Sequence, residues 1–257
     1  MAIIFPAPIF GPVHSRRLGV SLGINLLPAD GKVCSFDCIY CECGYNDEHR
    51  AKSLLPTREE VRIALDKKLK EMQAEGVAPD VLTFAGNGEP TAHPHFPEII
   101  EDTLILRDRY FPKAKVSVLT NATFLHRPAV FNALSKVDNN ILKLDTVDSE
   151  YIHRVDRPNG KYDLKAVIES LKAYKGNCMI QTLFMKGTFE GQSVDNTTDR
   201  YVLPWIEAVK QIAPRQVMIY TIDRETPGHH LEKATREELG HIAVLLTDAG
   251  LETNVSY

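Results

Sequence analysis

The sequence has 257 residues, which is enough for one large domain or two small ones with a substantial core. Hydrophobic residues make up 44% and charged residues 25%, as in many globular proteins, and no apolar run approaches the roughly 18 residues of a membrane-spanning helix. A formal net charge of −4 excludes a general attraction to phosphate backbones, so a nucleic-acid partner is possible but is not supported by net charge.

The chain begins with a Pro-rich segment over residues 1–18, which lacks the basic leader and apolar stretch of a secretory signal. We therefore expect a cytoplasmic protein with no membrane partner, in which clustered cysteines stay reduced and bind metal or do chemistry. The odd number of cysteines, five, also argues against a disulfide framework.

Strand and helix patterns then alternate along the chain. The apolar run over 19–27 predicts the first strand, and the segment over 57–76 predicts a helix, because Thr57 and Glu60 are spaced to form a capping box. Five further units follow, each a strand and then a helix. The strands are predicted at 80–86, 114–121, 140–145, 178–187 and 215–223, and the helices that follow them at 94–110, 127–137, 163–176, 200–213 and 235–250. Since each parallel connection needs a crossover helix, the pattern predicts an α/β fold, a partial (β/α)6 TIM-like barrel with parallel strands.

No linker or low-complexity stretch interrupts this alternation, so we expect a single domain over 1–257. In that domain an extension over 1–18 precedes the partial barrel over 19–250, and a C-terminal segment over 251–257 follows it. The functional site of such a barrel forms at the carboxyl ends of its strands. Cysteine-containing and polar segments follow the first four predicted strands, which predicts that they meet in one site.

Four of the five cysteines lie within ten positions, in the pattern Cys34-x3-Cys38-x2-Cys41-x-Cys43. Thiolates are soft ligands that suit zinc or an iron–sulfur cluster. Because a single residue separates Cys41 from Cys43, Cys43 is poorly placed to reach a fourth iron of the same cubane. We therefore predict three protein ligands, Cys34, Cys38 and Cys41, and one iron open to an exogenous ligand. The alternative is a structural zinc site that Cys43 or His49 completes.

Two motifs in this sequence resemble those of the radical S-adenosylmethionine (SAM) superfamily. The first is C-x3-C-x2-C with Tyr40 directly before its third cysteine. The second is FAGNGEPTAHP over 84–94, which resembles the superfamily's Gly-Gly-Glu-Pro motif with Asn87 in place of the second glycine. A glycine-rich turn alone is common in parallel folds. The two motifs together, one strand and helix unit apart, follow the layout of the superfamily.

The resemblance implies two cofactors, a [4Fe-4S] cluster on the three cysteines and SAM on the open iron of that cluster. In the superfamily the reduced cluster splits a carbon–sulfur bond of SAM, leaving methionine and a 5′-deoxyadenosyl radical that abstracts hydrogen from the substrate. It also implies an external electron donor such as flavodoxin or ferredoxin, because the sequence shows no flavin-binding domain. The residues expected to contact SAM are Tyr40, Gly86, Asn87, Gly88, Glu89, Pro90, Asn121, Asp145 and Gln181. For Lys143 and Asp145, a buried ion pair is the structural alternative.

The segments over 10–44, 153–160 and 220–228 resemble more narrowly the wyosine-synthase-like group of iron–sulfur oxidoreductases. The substrate stays unidentified among a tRNA base, a peptide or protein glycyl site and a small metabolite, and no catalytic side chain is assigned. Guanidinium groups recognise carboxylate or phosphate, although surface salt bridges are an equally ordinary use of arginine. The candidate substrate residues are Arg16, Arg17, Arg154, Asp223 and Arg224. The alternative function is a non-catalytic zinc-binding or scaffold protein with a degenerate site.

Overall fold

The computed structural model describes residues 2–15 and 19–257, so the predicted substrate residues Arg16 and Arg17 lie outside the described residues. The strands are β1 (Ile9–Ser15), β2 (Gly19–Ile24), β3 (Val81–Phe84), β4 (Lys115–Thr120), β5 (Asn139–Lys143), β6 (Met179–Leu183), β7 (Met185–Phe189), β8 (Gln192–Ser193), β9 (Gln216–Tyr220), β10 (Leu231–Lys233) and β11 (Thr253–Ser256).

The helices are α1 (Arg58–Ala74), α2 (Phe96–Tyr110), α3 (Pro128–Leu134), α4 (Ser149–Val155), α5 (Leu164–Lys172), α6 (Asp199–Ile212) and α7 (Arg236–Asp248). A short 3-10 helix spans Pro90–Ala92. Within the described residues, none of the helices is both long enough and apolar enough to cross a membrane.

Over residues 2–15 and 19–257, the main sheet has eight strands in the order β1-β2-β3-β4-β5-β6-β9-β11. Neighbouring strands from β2 to β11 are parallel, whereas β1 pairs with β2 in an antiparallel hairpin. Helices connect the successive parallel strands, and no pairing joins β1 to β11 in the part of the chain that the structure describes. The predicted α/β partial barrel of parallel strands is therefore confirmed.

Several elements lie where the sequence predicted none, among them the short strands β8 and β10. Strand β1 lies in the N-terminal extension, α4 lies between two predicted elements, and β11 lies in the C-terminal segment. Strand β11 pairs with β9 in parallel, so it extends the parallel part of the sheet by one strand. It has only four residues, which is too short for an alternating pattern to identify.

The strand predicted over 178–187 is divided at Phe184. Strand β6 ends at Leu183, and β7 leaves the main sheet to form a small antiparallel sheet with β8 and β10. The Asn196 side chain stabilises this break, because it donates to the Leu183 carbonyl at 2.8 Å and accepts from the Met185 N–H at 2.9 Å. The apolar run continues across the break, so its periodicity alone does not locate it.

Alternate residues of the parallel strands face either the helices or the interior of the partial barrel. The outer set packs into the main core, where Leu22 and Val118 join helix residues such as Leu65. The inner set is more polar, and the hydroxyl oxygens of Ser21 and Thr83 lie 2.8 Å apart. This polar inner face leads to the carboxyl ends of the strands, where the cysteine-containing segment follows β2.

Helix α1 begins with the predicted capping box. The Thr57 hydroxyl accepts from the Glu60 N–H at 3.2 Å, and the Glu60 carboxylate accepts from the Thr57 N–H at 2.7 Å. Thr57→Ala removes the first of these acceptors, so we expect it to lower the free energy of unfolding by about 1 kcal/mol. Urea unfolding measures the change. Thr57→Ser keeps the hydroxyl and should match the wild type, whereas equal stability of the Ala variant would contradict the role of the cap.

Candidate functional site

The cysteine loop, residues 32–46, follows β2 at the carboxyl end of the sheet. Two successive turns shape it, because the Cys41 N–H donates to the Cys38 carbonyl at 3.1 Å and the Gly44 N–H donates to the Cys41 carbonyl at 2.9 Å. The Asn46 side chain closes the loop by accepting from the Cys34 N–H at 3.2 Å and donating to a carbonyl of the next turn. These contacts gather Cys34, Cys38 and Cys41 on one compact loop.

One wall of the site is the glycine turn, residues 86–90, which follows β3. The Val33 N–H donates to the Asn87 carbonyl at 2.9 Å, and the Glu89 N–H donates to the Val33 carbonyl at 3.1 Å. The backbone immediately before Cys34 is thus paired with the glycine turn like a short parallel strand. The two motifs that the sequence analysis linked are therefore in direct contact.

A second wall is the brace segment, residues 155–159, which begins at the last residue of α4. The Ile39 N–H donates to the Val155 carbonyl at 2.9 Å, and the Asp37 N–H donates to the Asp156 carbonyl at 3.0 Å. Asn159 contributes twice, since its N–H donates to the Ser35 carbonyl at 2.9 Å and its side chain donates to the Cys34 carbonyl at 2.8 Å. The cysteine loop is held between two segments of backbone.

The four cysteines of the loop differ in their surroundings. Cys34, Cys38 and Cys41 are partly exposed and form no disulfide. Cys43 is buried, and its thiol donates to the Gly86 carbonyl at 3.4 Å. Cys43 thus contacts the glycine turn, whereas the other three thiols remain available as ligands.

The pKa values of the thiols reflect burial and mutual repulsion. Burial raises the pKa of Cys34 to about 12, and the negative charges of Glu89 and Cys41 act in the same direction. Burial likewise raises the pKa of Cys38 well above its ordinary value. A hydrogen bond with the Cys43 thiol lowers the pKa of Cys41 to about 6, while burial opposes this change. Bound cations favour thiolates, so a metal group on this loop would offset the repulsion between neighbouring thiolates.

The Glu89 carboxylate joins the ends of two strands. It is buried, and it accepts from the Thr120 hydroxyl at 2.7 Å and from the Asn121 N–H at 2.7 Å. Burial raises the pKa of Glu89, while hydrogen bonds from its neighbours oppose the rise. The Asn121 side chain then donates to the Ser35 hydroxyl at 2.8 Å and to the Cys34 sulfur at 3.7 Å. Glu89 and Asn121 therefore connect the glycine turn to the first cysteine.

The Asn87 side chain, which the sequence predicted near SAM, points to the N-terminal segment. Its amide donates to the carbonyl of Phe5 at 2.9 Å and to that of Pro28 at 2.7 Å, and its oxygen accepts from the Phe5 N–H at 2.8 Å. Asn87 therefore faces the cysteine loop only through its backbone. Gly86 and Gly88 have positive φ angles of 138° and 133°, which favour glycine.

A buried charged network lies on the inner face of the partial barrel, beneath the loop. The Lys143 ammonium donates to Asp156 at 2.8 Å and also to Asp145 and the Tyr40 hydroxyl, which itself donates to Asp145. Burial opposes the charged form of Lys143, but Asp145 and Asp156 raise its pKa well above the ordinary value. Burial raises the pKa of Asp156 to about 6. The structure thus forms the Lys143–Asp145 ion pair, which was the structural alternative to a SAM contact, and brings Tyr40 to it. Gln181 pairs with Lys143 across adjacent strands.

The described substrate candidates do not converge on one point. Arg224 donates to the Glu42 carboxylate of the cysteine loop at 2.8 Å. Asp223 lies 3.5 Å from the Lys233 ammonium, and Arg154 donates to a carbonyl of the small sheet at 3.0 Å. Arg224 therefore contacts the cysteine loop directly.

Sequence reasoning missed several residues of the site. Lys32 is 3% exposed, and its ammonium donates to the Gly44 carbonyl at 2.6 Å and lies 3.3 Å from the Asp37 carboxylate. Asp156 and Asn159 belong to a segment that the resemblance singled out without giving its members a role. The one local signal for Lys32 was its position in the sequence, two residues before Cys34.

The donor set fits an iron–sulfur cluster by its chemistry. Among residues 2–15 and 19–257, no group of three or more His, Cys, Asp and Glu side chains converges at the spacing of a single metal ion. Cys34, Cys38 and Cys41 nevertheless offer three soft thiols on one loop, and soft thiols are what iron–sulfur clusters require. The buried Lys32 ammonium supplies positive charge beside them.

A family model described as the radical SAM superfamily matches residues 30–194, which include the cysteine loop, the glycine turn and the brace segment. A UPF0026 protein of Helicobacter pylori is 34% identical over 241 residues, covering 91% of this chain and 72% of that protein. A UPF0026 protein of Methanocaldococcus jannaschii is 27% identical and covers 93% of this chain and 71% of that protein.

Solved structures share the fold at low identity. A radical SAM methyltransferase from Sphaerobacter thermophilus has a TM-score of 0.66 at 14% identity, covering 92% of this chain and 66% of the methyltransferase chain. An archaeal TYW1 structure has a TM-score of 0.54 at 14% identity, covering 89% of this chain and 72% of the other. The chain thus spans slightly less than two thirds of the methyltransferase structure.

Proposed function

The chain belongs to the radical SAM superfamily and is an enzyme of that class, and we propose that Cys34, Cys38 and Cys41 hold a [4Fe-4S] cluster beside a SAM site. When bound, these two groups supply a one-electron cleavage of SAM to methionine and a 5′-deoxyadenosyl radical, which abstracts hydrogen from the substrate. The electron comes from a separate cytoplasmic donor such as flavodoxin or ferredoxin. The substrate is a tRNA base, a peptide or protein glycyl site or a small metabolite.

The contact between the cysteine loop and the glycine turn carries this proposal. Val33 makes both backbone hydrogen bonds with that turn, at 2.9 and 3.1 Å, and Cys34 follows it directly. SAM must contact the cluster and the glycine turn together. This pairing places Cys34 one residue from Val33, the residue that is hydrogen-bonded to the glycine turn. Backbone pairing also orients a loop more strictly than a side-chain contact does, because it fixes consecutive residues.

The residues of this chain that we propose for the SAM site have distinct tasks. Glu89 holds the ends of β3 and β4 together, and Asn121 orients Cys34. Tyr40 and Asp145 are held by Lys143 on the inner face of the barrel. The proposed SAM-binding set is Tyr40, Gly86, Gly88, Glu89, Pro90, Asn121, Asp145 and Gln181, with Asn87 contributing only its backbone.

On the substrate side, we propose that Arg224 acts closest to the cluster, because it is bound to Glu42 between Cys41 and Cys43. Arg154 and Asp223 lie at the small sheet of β7, β8 and β10, where we propose that they contact the substrate. Arg16 and Arg17 remain candidates from the sequence.

The test of the proposed function is anaerobic reconstitution with iron and sulfide, reduction with dithionite, and incubation with SAM. The expected result is about four irons per chain and formation of 5′-deoxyadenosine and methionine. Omitting dithionite is the control and should abolish both products. A reconstituted and reduced protein that binds SAM but forms no 5′-deoxyadenosine would overturn the proposed reaction. A colourless protein that holds zinc would instead favour the non-catalytic alternative.

A further inference from the structure

A lysine lies buried inside the cysteine loop. The Lys32 side chain is 1% exposed, and its ammonium donates to the Gly44 carbonyl at 2.6 Å and lies 3.3 Å from the Asp37 carboxylate. Its backbone is held independently, because the Lys32 N–H donates to the His49 carbonyl at 2.7 Å. The loop therefore closes around a fixed ammonium group.

The charges that act on Lys32 are those of the loop. Burial opposes the charged form, but the Coulombic effects of Cys41, Cys34 and Cys38, followed by Asp37, raise the pKa of Lys32. The geometry places the ammonium among the proposed ligands, because its acceptor Gly44 donates its own N–H to the Cys41 carbonyl at 2.9 Å, and Asp37 directly precedes Cys38. Asp37 partly offsets its charge, and the Asp37 side chain is 14% exposed, so solvent screens Asp37 more than Lys32.

We propose that Lys32 is a positioning residue for charge, whose ammonium stabilises the one-electron-reduced cluster on Cys34, Cys38 and Cys41 and so raises the reduction potential of that cluster. This inference rests on the proposed function. One electron arrives from the external donor and adds one negative charge, while the Lys32 proton stays in place. A buried positive charge is screened little, so it favours the more negative state.

Asp37 provides a test in which the expected sign is reversed. Asp37→Asn removes the negative charge beside Lys32 but keeps an amide oxygen that can accept from the Asn46 N–H, as Asp37 does at 2.8 Å. Lys32→Met removes the ammonium and keeps an unbranched apolar side chain of similar length. A charge effect predicts that the two variants shift the reduction potential of the cluster in opposite directions, whereas a packing role predicts no such opposition.

The experiment is a redox titration of the anaerobically reconstituted full chain, monitored by electron paramagnetic resonance, with iron content measured in parallel. At a fixed solution potential, Lys32→Met should lower the ratio of reduced to oxidised cluster about tenfold, which is 59 mV for a one-electron couple. Asp37→Asn should raise that ratio about threefold. The control Lys52→Met makes the same charge change at an exposed lysine and should change the ratio less than about twofold.

Opposite shifts in the two variants support the proposal, and shifts of the same sign or no shift in either overturn it. If Lys32→Met assembles no cluster, Asp37→Asn decides alone, because a raised potential supports the charge effect and an unchanged or lowered one refutes it. A wild-type protein without any reducible cluster would contradict the proposed function itself, which is a separate outcome.

Discussion

Replacing Cys34, Cys38 or Cys41 with Ala is expected to lower both the iron content and the yield of 5′-deoxyadenosine by more than about tenfold. Loss of a residue that only supports a metal ligand already costs 10–100-fold in affinity or activity, so loss of a ligand costs at least that much. Cys43→Ala is the matched control within the same loop. It is expected to keep most of the iron, because the Cys43 thiol is buried and donates to the Gly86 carbonyl at 3.4 Å.

The measurements are iron and sulfide per chain after anaerobic reconstitution, the absorbance of the cluster, and the product assay. Loss of the cluster in Cys43→Ala, with circular dichroism unchanged, would contradict the assignment of three ligands. Retention of a full cluster in any one of the other three variants would contradict it as well. Circular dichroism separates either outcome from a general loss of folding.

Gly88→Ala is expected to detach the cysteine loop from the glycine turn. A Cβ at this position would lie 1.9 Å from the Val33 carbonyl oxygen, and the φ angle of 133° is one that side chains rarely adopt. Because both the backbone contact and the dihedral angle must change, we expect a loss of on the order of 3 kcal/mol in the free energy of unfolding. Cluster assembly should fall with it, since Cys34 follows Val33 directly.

Gly240→Ala is the control for this substitution. Gly240 lies within α7, its Cβ would meet nothing within 4 Å, and alanine favours a helix over glycine by about 1 kcal/mol. The control should therefore be as stable as the wild type or more so, and should assemble the cluster normally. Urea unfolding and iron content measure both effects. A Gly88→Ala protein with wild-type stability and iron content would show that the pairing with Val33 is dispensable.

Much of the fold was predictable because its signals are local. Capping residues mark the start of α1 within four positions, and apolar periodicity over a single helix needs no knowledge of distant residues. The division of the predicted strand at Phe184 was not predictable, because the Asn196 side chain that satisfies the broken backbone lies 13 positions from Leu183.

The resemblance to the radical SAM superfamily is confirmed by the match over 30–194, and it rested on two short motifs. The orientation of Asn87 was beyond the sequence, since its side-chain partner Phe5 is 82 positions away. The same holds for the buried network, where Tyr40 meets Lys143 across 103 positions. The roles of individual SAM and substrate residues stay predictions.

The sequence by itself determined the alternation of the central parallel strands with helices, the placement of the two motifs after neighbouring strands, and the thiol chemistry of the site. Spacing along the chain decides these features, because helix caps, strand alternation and loop length act over a few residues. The tertiary structure decided which backbone segments hold the cysteine loop, as when Asn159 reaches the Cys34 carbonyl from 125 positions away. It also decided that Lys32 is enclosed by that loop, because burial depends on contacts that only the folded chain makes.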